Sequence, residues 1–310
     1  METDLVTIVI PVFERVDFFE EALKSALNQT TQCHIVVSDN GSSHDNFKII
    51  CDKYPKRVEY HKNTANIGMF PNWNRCVNYV NTPYVMILGD DDILSPDFIE
   101  KFLGVKTNLP SLDLFYSNYS ILYEPNKIIE NNPLPNYWGL GTMKDIKYYA
   151  IIHFLGFPSV SCVCRTELYK QYPFEERIHG CNDWLSIYSF NNDIQTFGLN
   201  EKLCKYRKHS KSDTKRSEMR LIMALNHFLI LSKLSLQEDV SYLVKMKWIG
   251  LLHLCCITHK KFVYKYLEKD SGYKNIYSLL KTKYTFLYNL SVVLGAYHMA
   301  KSRMGLKLWE

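Results

Sequence analysis

The sequence predicts an α/β protein, a mixed but mostly parallel sheet flanked by helices, followed by a helical C-terminal extension. Short apolar runs alternate with segments of helical period through the first hundred residues, the mark of βαβ units. Beyond residue 216 helical periodicity takes over with no β-rich run. The polar clusters Glu14-Arg15, Asp39–Ser43 and Asp90–Asp92 each fall where an apolar run ends. In a parallel sheet those are the carboxyl ends of strands, where ligands bind, so the three clusters are expected to converge on one crevice.

Taken in order, Val6–Val12 reads as the first strand and Phe18–Asn28 as an amphipathic helix, with Phe19, Ala22, Leu23, Ala26 and Leu27 on one face. His34–Ser38 is the second strand; the turn Asp39–Ser43 leads to a helix through Tyr54, and Val58–His61 is the third strand. Asn72–Asn81 reads as a helix and Tyr84–Leu88 as the fourth strand. Leu114–Ser117 is a strand, Glu124–Tyr137 a Pro/Asn-rich connection, and Met143–Phe154 a helix. An apolar segment Phe157–Arg165, a helix to Tyr172, a helix Cys181–Asn191, a short strand near Thr196–Leu199 and a basic loop Lys205–Arg216 complete residues 1–216.

With 310 residues, 46% of them hydrophobic, the chain supports one large domain and an extension, divided as 1–216 and 217–310. The net charge of +5 is uneven: residues 1–216 hold 23 basic against 26 acidic residues, and residues 217–310 hold 14 against 6. A basic, aromatic-rich helical tail favours an anionic membrane leaflet or self-association; without an Arg-rich helix or an RNA-reading strand motif, nucleic acid is not expected. The stripe Leu287, Leu290, Leu294, Tyr297, flanked by Lys281, Lys283, Lys301, Arg303 and Lys307, fits either core packing or an interfacial helix. The opening METDLVTIVIPVF reads as a strand and not a signal peptide, and no window is apolar enough to span a bilayer. The nine cysteines lack zinc-site spacing and are expected as reduced thiols. Together these predict a cytoplasmic protein, peripheral on the cytoplasmic face of a membrane.

The run Tyr84–Leu88 ends in Gly89 and three consecutive carboxylates, Asp90, Asp91 and Asp92. Adjacent like charges raise one another's pKa, so a fold keeps them together when a divalent cation or its bound phosphates need them. The plainer alternative is an acidic loop in which Asp92 or Ser95 caps the next helix.

Five segments, in order, resemble the inverting, metal-dependent family 2 glycosyltransferases of the GT-A nucleotide-sugar-binding fold: Thr7-Ile-Val-Ile-Pro-Val-Phe-Glu14, Ile35–Ser43, Asn66-Ile-Gly68 with Arg75, Leu88–Asp92 with Pro96, and Asn182-Asp183-Trp184. Pro11 and Phe13 close the first strand, the ring serving as a stacking wall for a nucleobase or as a plain core aromatic. Asp39 fits either the imide N–H of uracil or an Asx turn before Gly41. The resemblance implies Arg75 near the nucleotide, Asp90 toward the ribose, Asp91 as main ligand of Mn²⁺ or Mg²⁺, Asp92 as supporting ligand or cap, and His209, in Tyr206–Ser210, completing the metal shell. It implies Asp183 as general base, with Asn182 replacing the usual Glu. The activity implied is single-displacement transfer from a UDP-sugar to a glycan or lipid-linked acceptor in surface polysaccharide synthesis. Two rivals stand beside it: a sugar-nucleotide nucleotidyltransferase, disfavoured because Pro11–Asp17 holds no glycine for a triphosphate loop, and a non-catalytic glycan-binding relative.

Overall fold

The structure, a computed structural model, describes residues 2–131, 137–153, 158–176, 181–212 and 217–258. The chain divides into two compact units, Met1–Tyr149 with His153–Arg216, and Ala150–Ile152 with Ser217–Glu310.

The first unit is built on one sheet. Strands β1 (Glu2–Val12), β2 (Gln32–Asp39), β3 (Val58–Lys62) and β4 (Tyr84–Ile87) lie in the order β3-β2-β1-β4, all parallel. Their register sets Ile8 opposite Ile35 and Met86, so β1 is apolar on both sides and lies buried at the centre. The sheet continues through β9 (Cys162–Arg165), antiparallel to both neighbours, to β6 (Leu114–Tyr123) and β10 (Gln195–Lys208), which pair in parallel. Short antiparallel strands finish it: β5 (Ile93–Leu94), β7 (Ile128–Asn131) and β8 (Gly139–Thr142). Helices α1 (Phe19–Leu27), α2 (Asn46–Cys51), α3 (Met69–Asn78) and α4 (Phe98–Asn108) return the chain between strands, and α1 buries Phe19, Ala22, Leu23 and Ala26. Helix α5 (Met143–His153), α6 (Thr166–Gln171) and α7 (Asn182–Tyr188) follow.

Four expectations are corrected here. Strand β6 does not stop at Ser117, because Ser117 and Ser120 are buried within a strand covered on both faces; its polar residues look like a terminus only in the sequence. Lys205–Lys208 is strand and not loop, held against Ser120–Tyr123 over the second half of β10. The connection Glu124–Tyr137 likewise contains β7. The helix after the acidic run starts at Phe98, with Asp97 and neither Asp92 nor Ser95 at its N-cap. Cys33, Cys51, Cys76, Cys162, Cys164, Cys181 and Cys204 are buried thiols outside any disulfide.

In the second unit, α8 (Ser217–Gln237) and α9 (Tyr242–Thr258) bury Leu231, Leu234, Met246, Trp248 and Leu252. The Trp248 indole N–H donates to the Ile151 carbonyl (2.8 Å). Among the described residues no helix is long and apolar enough to cross a membrane. The stripe Leu287–Tyr297 and its flanking cations Lys281, Lys283, Lys301, Arg303 and Lys307 lie outside the described residues.

Candidate active site

The acidic run forms a tight turn off β4. Leu88 still pairs with β1 (N–H to Val9 O, 2.9 Å), and the Asp92 N–H returns to Gly89 O (3.2 Å). Gly89 is needed for closeness: a Cβ there would meet Asp92 Oδ2 at 2.8 Å and Asp91 Oδ1 at 3.1 Å. The three carboxylates then separate by environment. Asp92 turns inward and is 5% exposed, its Oδ1 accepting the Arg207 backbone N–H (2.8 Å). Burial, then the Asp91 charge, push its pKa well up, so Asp92 ties the turn to β10 and does not project with its neighbours. Asp90 and Asp91 remain at the surface of the crevice, their side chains 14% and 18% exposed.

Three cationic or donating side chains surround them. The Arg15 guanidinium, on the connection after β1, donates through Nη2 to Asp90 Oδ1 and to Asp91 Oδ2 (2.9 Å). Arg207, wholly buried on β10, donates through Nε to the Asp91 carbonyl (2.5 Å), pairs with Glu21 of α1 (2.5 Å) and with Glu124, and stacks on Phe18 at 4.5 Å. His209 packs on the same ring, 4.6 Å between centroids, with Nε2 at 2.9 Å from Asp91 Oδ2. The Lys211 N–H donates to His209 Nδ1 (3.1 Å), so the neutral imidazole carries its proton on Nε2 and donates to Asp91. In this tautomer His209 orients Asp91 through Nε2.

A divalent cation fits the remaining chemistry. Asp90 and Asp91 offer hard oxygen donors at a strand end, and Arg15 already places a positive charge between them, which marks where a cation is stabilised. One or two carboxylates, with phosphate oxygens supplied by the substrate, are the usual complement for Mg²⁺ or Mn²⁺. Among the described residues no three His, Cys, Asp or Glu side chains form a complete protein shell.

The ends of β2 and β3 are built differently. Asp39 is fully buried; Oδ1 accepts the Ser42 N–H (2.8 Å) and Oδ2 the Tyr60 hydroxyl (2.7 Å). The Asx turn is therefore present, and it sets Gly41 at φ 75°, where a Cβ would meet the Ala65 carbonyl carbon at 2.5 Å. Beside it lies an amide network. Asn40 Nδ2 donates to Asn66 Oδ1 and to the Gly68 carbonyl (both 3.0 Å), Asn63 Nδ2 to Asn72 Oδ1 (3.0 Å) and Asn40 Oδ1 (3.2 Å), and Asn72 Nδ2 to Ser38 O (3.1 Å). Arg75, expected to face the nucleotide, sends Nη1 into this network, to Asn63 Oδ1 (2.7 Å). Pro11 is buried in β1 opposite Ser38, while Phe13 is 40% exposed just beyond the strand end, as a stacking surface requires and a core aromatic does not.

Asp183 sits in the first turn of α7, whose N-cap Cys181 adopts a left-handed conformation (φ 56°). Burial pushes the Asp183 carboxyl up to about 6, against the pull of the Trp184, Asp183 and Ser159 backbone groups. Asn182, standing where a Glu was expected, is fully buried: its Oδ1 accepts the Glu175 N–H (3.0 Å) and its Nδ2 donates to the Glu175 carbonyl (2.5 Å). A carboxylate lacks that donor, so Asn182 serves as a clamp on the preceding segment. Arg15 and Arg207 were the residues sequence reasoning missed. Arg15 was visible only as half of a polar pair at a strand end, and Arg207 only as one cation in a basic stretch.

Parallel strands ending in a carboxylate crevice match the layout expected of the GT-A fold, and similarity to known proteins agrees. The profile of glycosyl transferase family 2 matches residues 7–177, and the chain belongs to that family. It is 26% identical over 263 residues to an uncharacterized glycosyltransferase of Methanocaldococcus jannaschii, covering 82% of this chain and 83% of that one. The abequosyltransferase RfbV of Salmonella typhimurium is 31% identical over 99 residues, 30% of each chain. Among solved structures, S. aureus TarS 1–349 in complex with UDP-GlcNAc aligns with a TM-score of 0.59 at 14% identity, over 82% of this chain and 73% of that one. The mannosyltransferase PcManGT from Pyrobaculum calidifontis, in complex with GDP-Man and Mn²⁺, aligns at 0.56 and 13% over 97% and 87%. The expected fold and family are thus shown, and the nucleotidyltransferase reading falls away.

Proposed function

We propose that the protein transfers a sugar from a UDP-sugar to a hydroxyl of a glycan or lipid-linked saccharide, with inversion at the anomeric carbon, in the synthesis of a surface polysaccharide. The observation that carries this reading is the Asp183 carboxyl, pushed up to about 6 at the start of α7. Such a group is ionised at neutral pH yet basic enough to take a proton, which is what activation of an acceptor hydroxyl needs. In the proposed sequence Asp183 accepts the hydroxyl proton as the acceptor oxygen attacks the face of the sugar opposite UDP, and no covalent intermediate on the chain is required. Phe13 stacks on the nucleobase beside the turn that Asp39 shapes, and Asp90 and Asp91 would hold Mn²⁺ or Mg²⁺ with the diphosphate, Asp91 being steadied by His209 and Asp92 by the Arg207 backbone. The cation supplies charge neutralisation to the departing diphosphate. The complexes of TarS with UDP-GlcNAc and of PcManGT with GDP-Man and Mn²⁺ support a nucleoside-diphosphate sugar and a metal.

Asp183→Asn tests the base. Turnover should fall by roughly 10²–10⁴-fold while donor affinity, read by calorimetry with UDP, stays within about twofold. In the parent protein kcat should decline with unit slope as pH drops through about 6. Equal loss of donor binding and turnover in Asp183→Asn would remove Asp183 from the proposed role. The cytoplasmic, peripheral placement rests on the basic tail: residues 217–310 carry 14 Lys and Arg against 6 Asp and Glu, and juxtaposed cations contribute about 1 kcal/mol each at an anionic leaflet. Sedimentation with anionic liposomes, reversed by high salt, is the expected result; equal binding to neutral liposomes argues for packing or oligomerisation instead.

A further inference from the structure

The two guanidinium groups beside the acidic turn meet it in different ways. The Arg207 guanidinium is neutralised by Glu21 and Glu124 and meets the turn through the Asp91 carbonyl. Lys211, the nearby ammonium, pairs with Asp17 at 2.6 Å. Arg15 by contrast places one nitrogen between the Asp90 and Asp91 carboxylates, on Asp90 Oδ1 and Asp91 Oδ2, the groups through which the proposed site would hold a cation. Its side chain is 21% exposed and extends from the connection after β1.

We propose, building on the metal-dependent reading above, that Arg15 is a built-in competitor for the divalent cation. Without ligand, its guanidinium neutralises Asp90 and Asp91 and holds the turn in shape. A dication and Arg15 cannot share the same two oxygens, since like charges that close repel. Metal arriving alone must therefore displace a well-placed guanidinium. Metal arriving with a nucleoside diphosphate brings anionic oxygens to which the displaced guanidinium can donate, as arginine does to phosphate generally. The consequence is ordered loading: the cation binds poorly by itself and well in company with the nucleotide. The apparent affinity of a site that is competent for only a fraction of the time is weakened by that fraction.

The test is Mn²⁺ titration of the full chain, read as loss of the free-ion electron paramagnetic resonance signal, with and without UDP. In the parent protein UDP should tighten Mn²⁺ binding by about tenfold or more, within the usual range of coupling between two ligands. Arg15→Gln should bind Mn²⁺ alone about tenfold more tightly than the parent, because the competent fraction rises, and the enhancement by UDP should shrink. Arg15→Lys, which keeps the charge and preserves the fold if the glutamine variant does not, should lie between them. Unchanged or weaker binding of Mn²⁺ alone in both variants overturns the inference and makes Arg15 an ordinary ion-pair partner, while leaving the metal-dependent reading intact. Absence of Mn²⁺ binding from every protein, with or without UDP, overturns that reading and the inference with it.

Discussion

At the end of β4 the crevice is made of charge, whereas at the ends of β2 and β3 it is made of amides. Asp90, Asp91 and Asp92 are held by Arg15 from the connection after β1 and by Arg207 and His209 from the end of β10. Asn40, Asn63, Asn66 and Asn72 hold one another. A neutral amide has both donors and acceptors, so a cluster of them closes on itself. Carboxylates only accept and repel, so their cluster stays incomplete without cations. The amide end is thus closed on itself, and the acidic end is poised for a change in charge. Even Asp39, the carboxylate of the amide end, has both oxygens engaged, by Ser42 and Tyr60.

The sharpest way to break this contrast is Asp91→Asn. The amide keeps the shape of the turn and can still meet His209, yet it loses the charge that Arg15 now neutralises and that a cation would use. Metal-dependent binding of UDP-sugar should be abolished, while binding of UDP without metal, which leans on the amide end, should change little. Isothermal titration with and without Mn²⁺ separates the two; loss of both kinds of binding shows that the ends are not independent.

Next in size is Arg207→Met, which keeps much of the apolar stem against Phe18 but leaves Glu124 and Glu21 without their buried partner. Removing one member of a buried ionic cluster costs about 3–5 kcal/mol, tempered here because the Glu21 side chain is 49% exposed. Chemical denaturation should show that loss. A variant that also replaces Glu124 by Gln should recover part of it, because the uncompensated charge then disappears.

The two ends also differed in how far the sequence disclosed them. The acidic run, Asp39 and the strands β1 to β4 follow from local pattern, since apolar runs ending in charged turns are contiguous in the chain, and the family follows from the resemblance of five ordered segments. Fold and family agree with that reading. What local pattern could not supply is pairing across distance. Arg207 is separated from Glu21 by 186 positions and from Glu124 by 83, and a basic stretch containing it reads as loop until β6 is known to lie alongside. Arg75 is expected near the nucleotide by resemblance alone, and only the fold shows that its Nη1 also donates to the buried Asn63 Oδ1 just past β3 (2.7 Å). Asn182 looked like a lost carboxylate, and only the return of the chain at Glu175 makes an amide the right group there.

The smallest expected effect, and the one most diagnostic of the amide end, is that of Asn63→Asp. Asn63 is 5% exposed, donates from Nδ2 to Asn40 and Asn72, and accepts from Arg75 through Oδ1. A carboxylate keeps the last contact and improves it, but turns a second oxygen toward two carbonyl oxygens where an N–H had been. Losing donors in a buried network costs about 1–3 kcal/mol, partly offset by the charge-assisted bond to Arg75. Burial and the facing oxygens raise the folded-state pKa of the new carboxyl above its unfolded value. The folded state then holds its proton more tightly, and the added destabilisation sets in as pH rises from the unfolded pKa through the folded one. The deficit should therefore be largest at neutral pH and shrink in acid, where the protonated group can donate to one of the two carbonyls again. It should not respond to Mn²⁺, since no cation belongs to this end. Thermal unfolding at neutral and acidic pH, with and without Mn²⁺, reads all of this, and a deficit that Mn²⁺ relieves would mean that the amide and acidic ends share one electrostatic site.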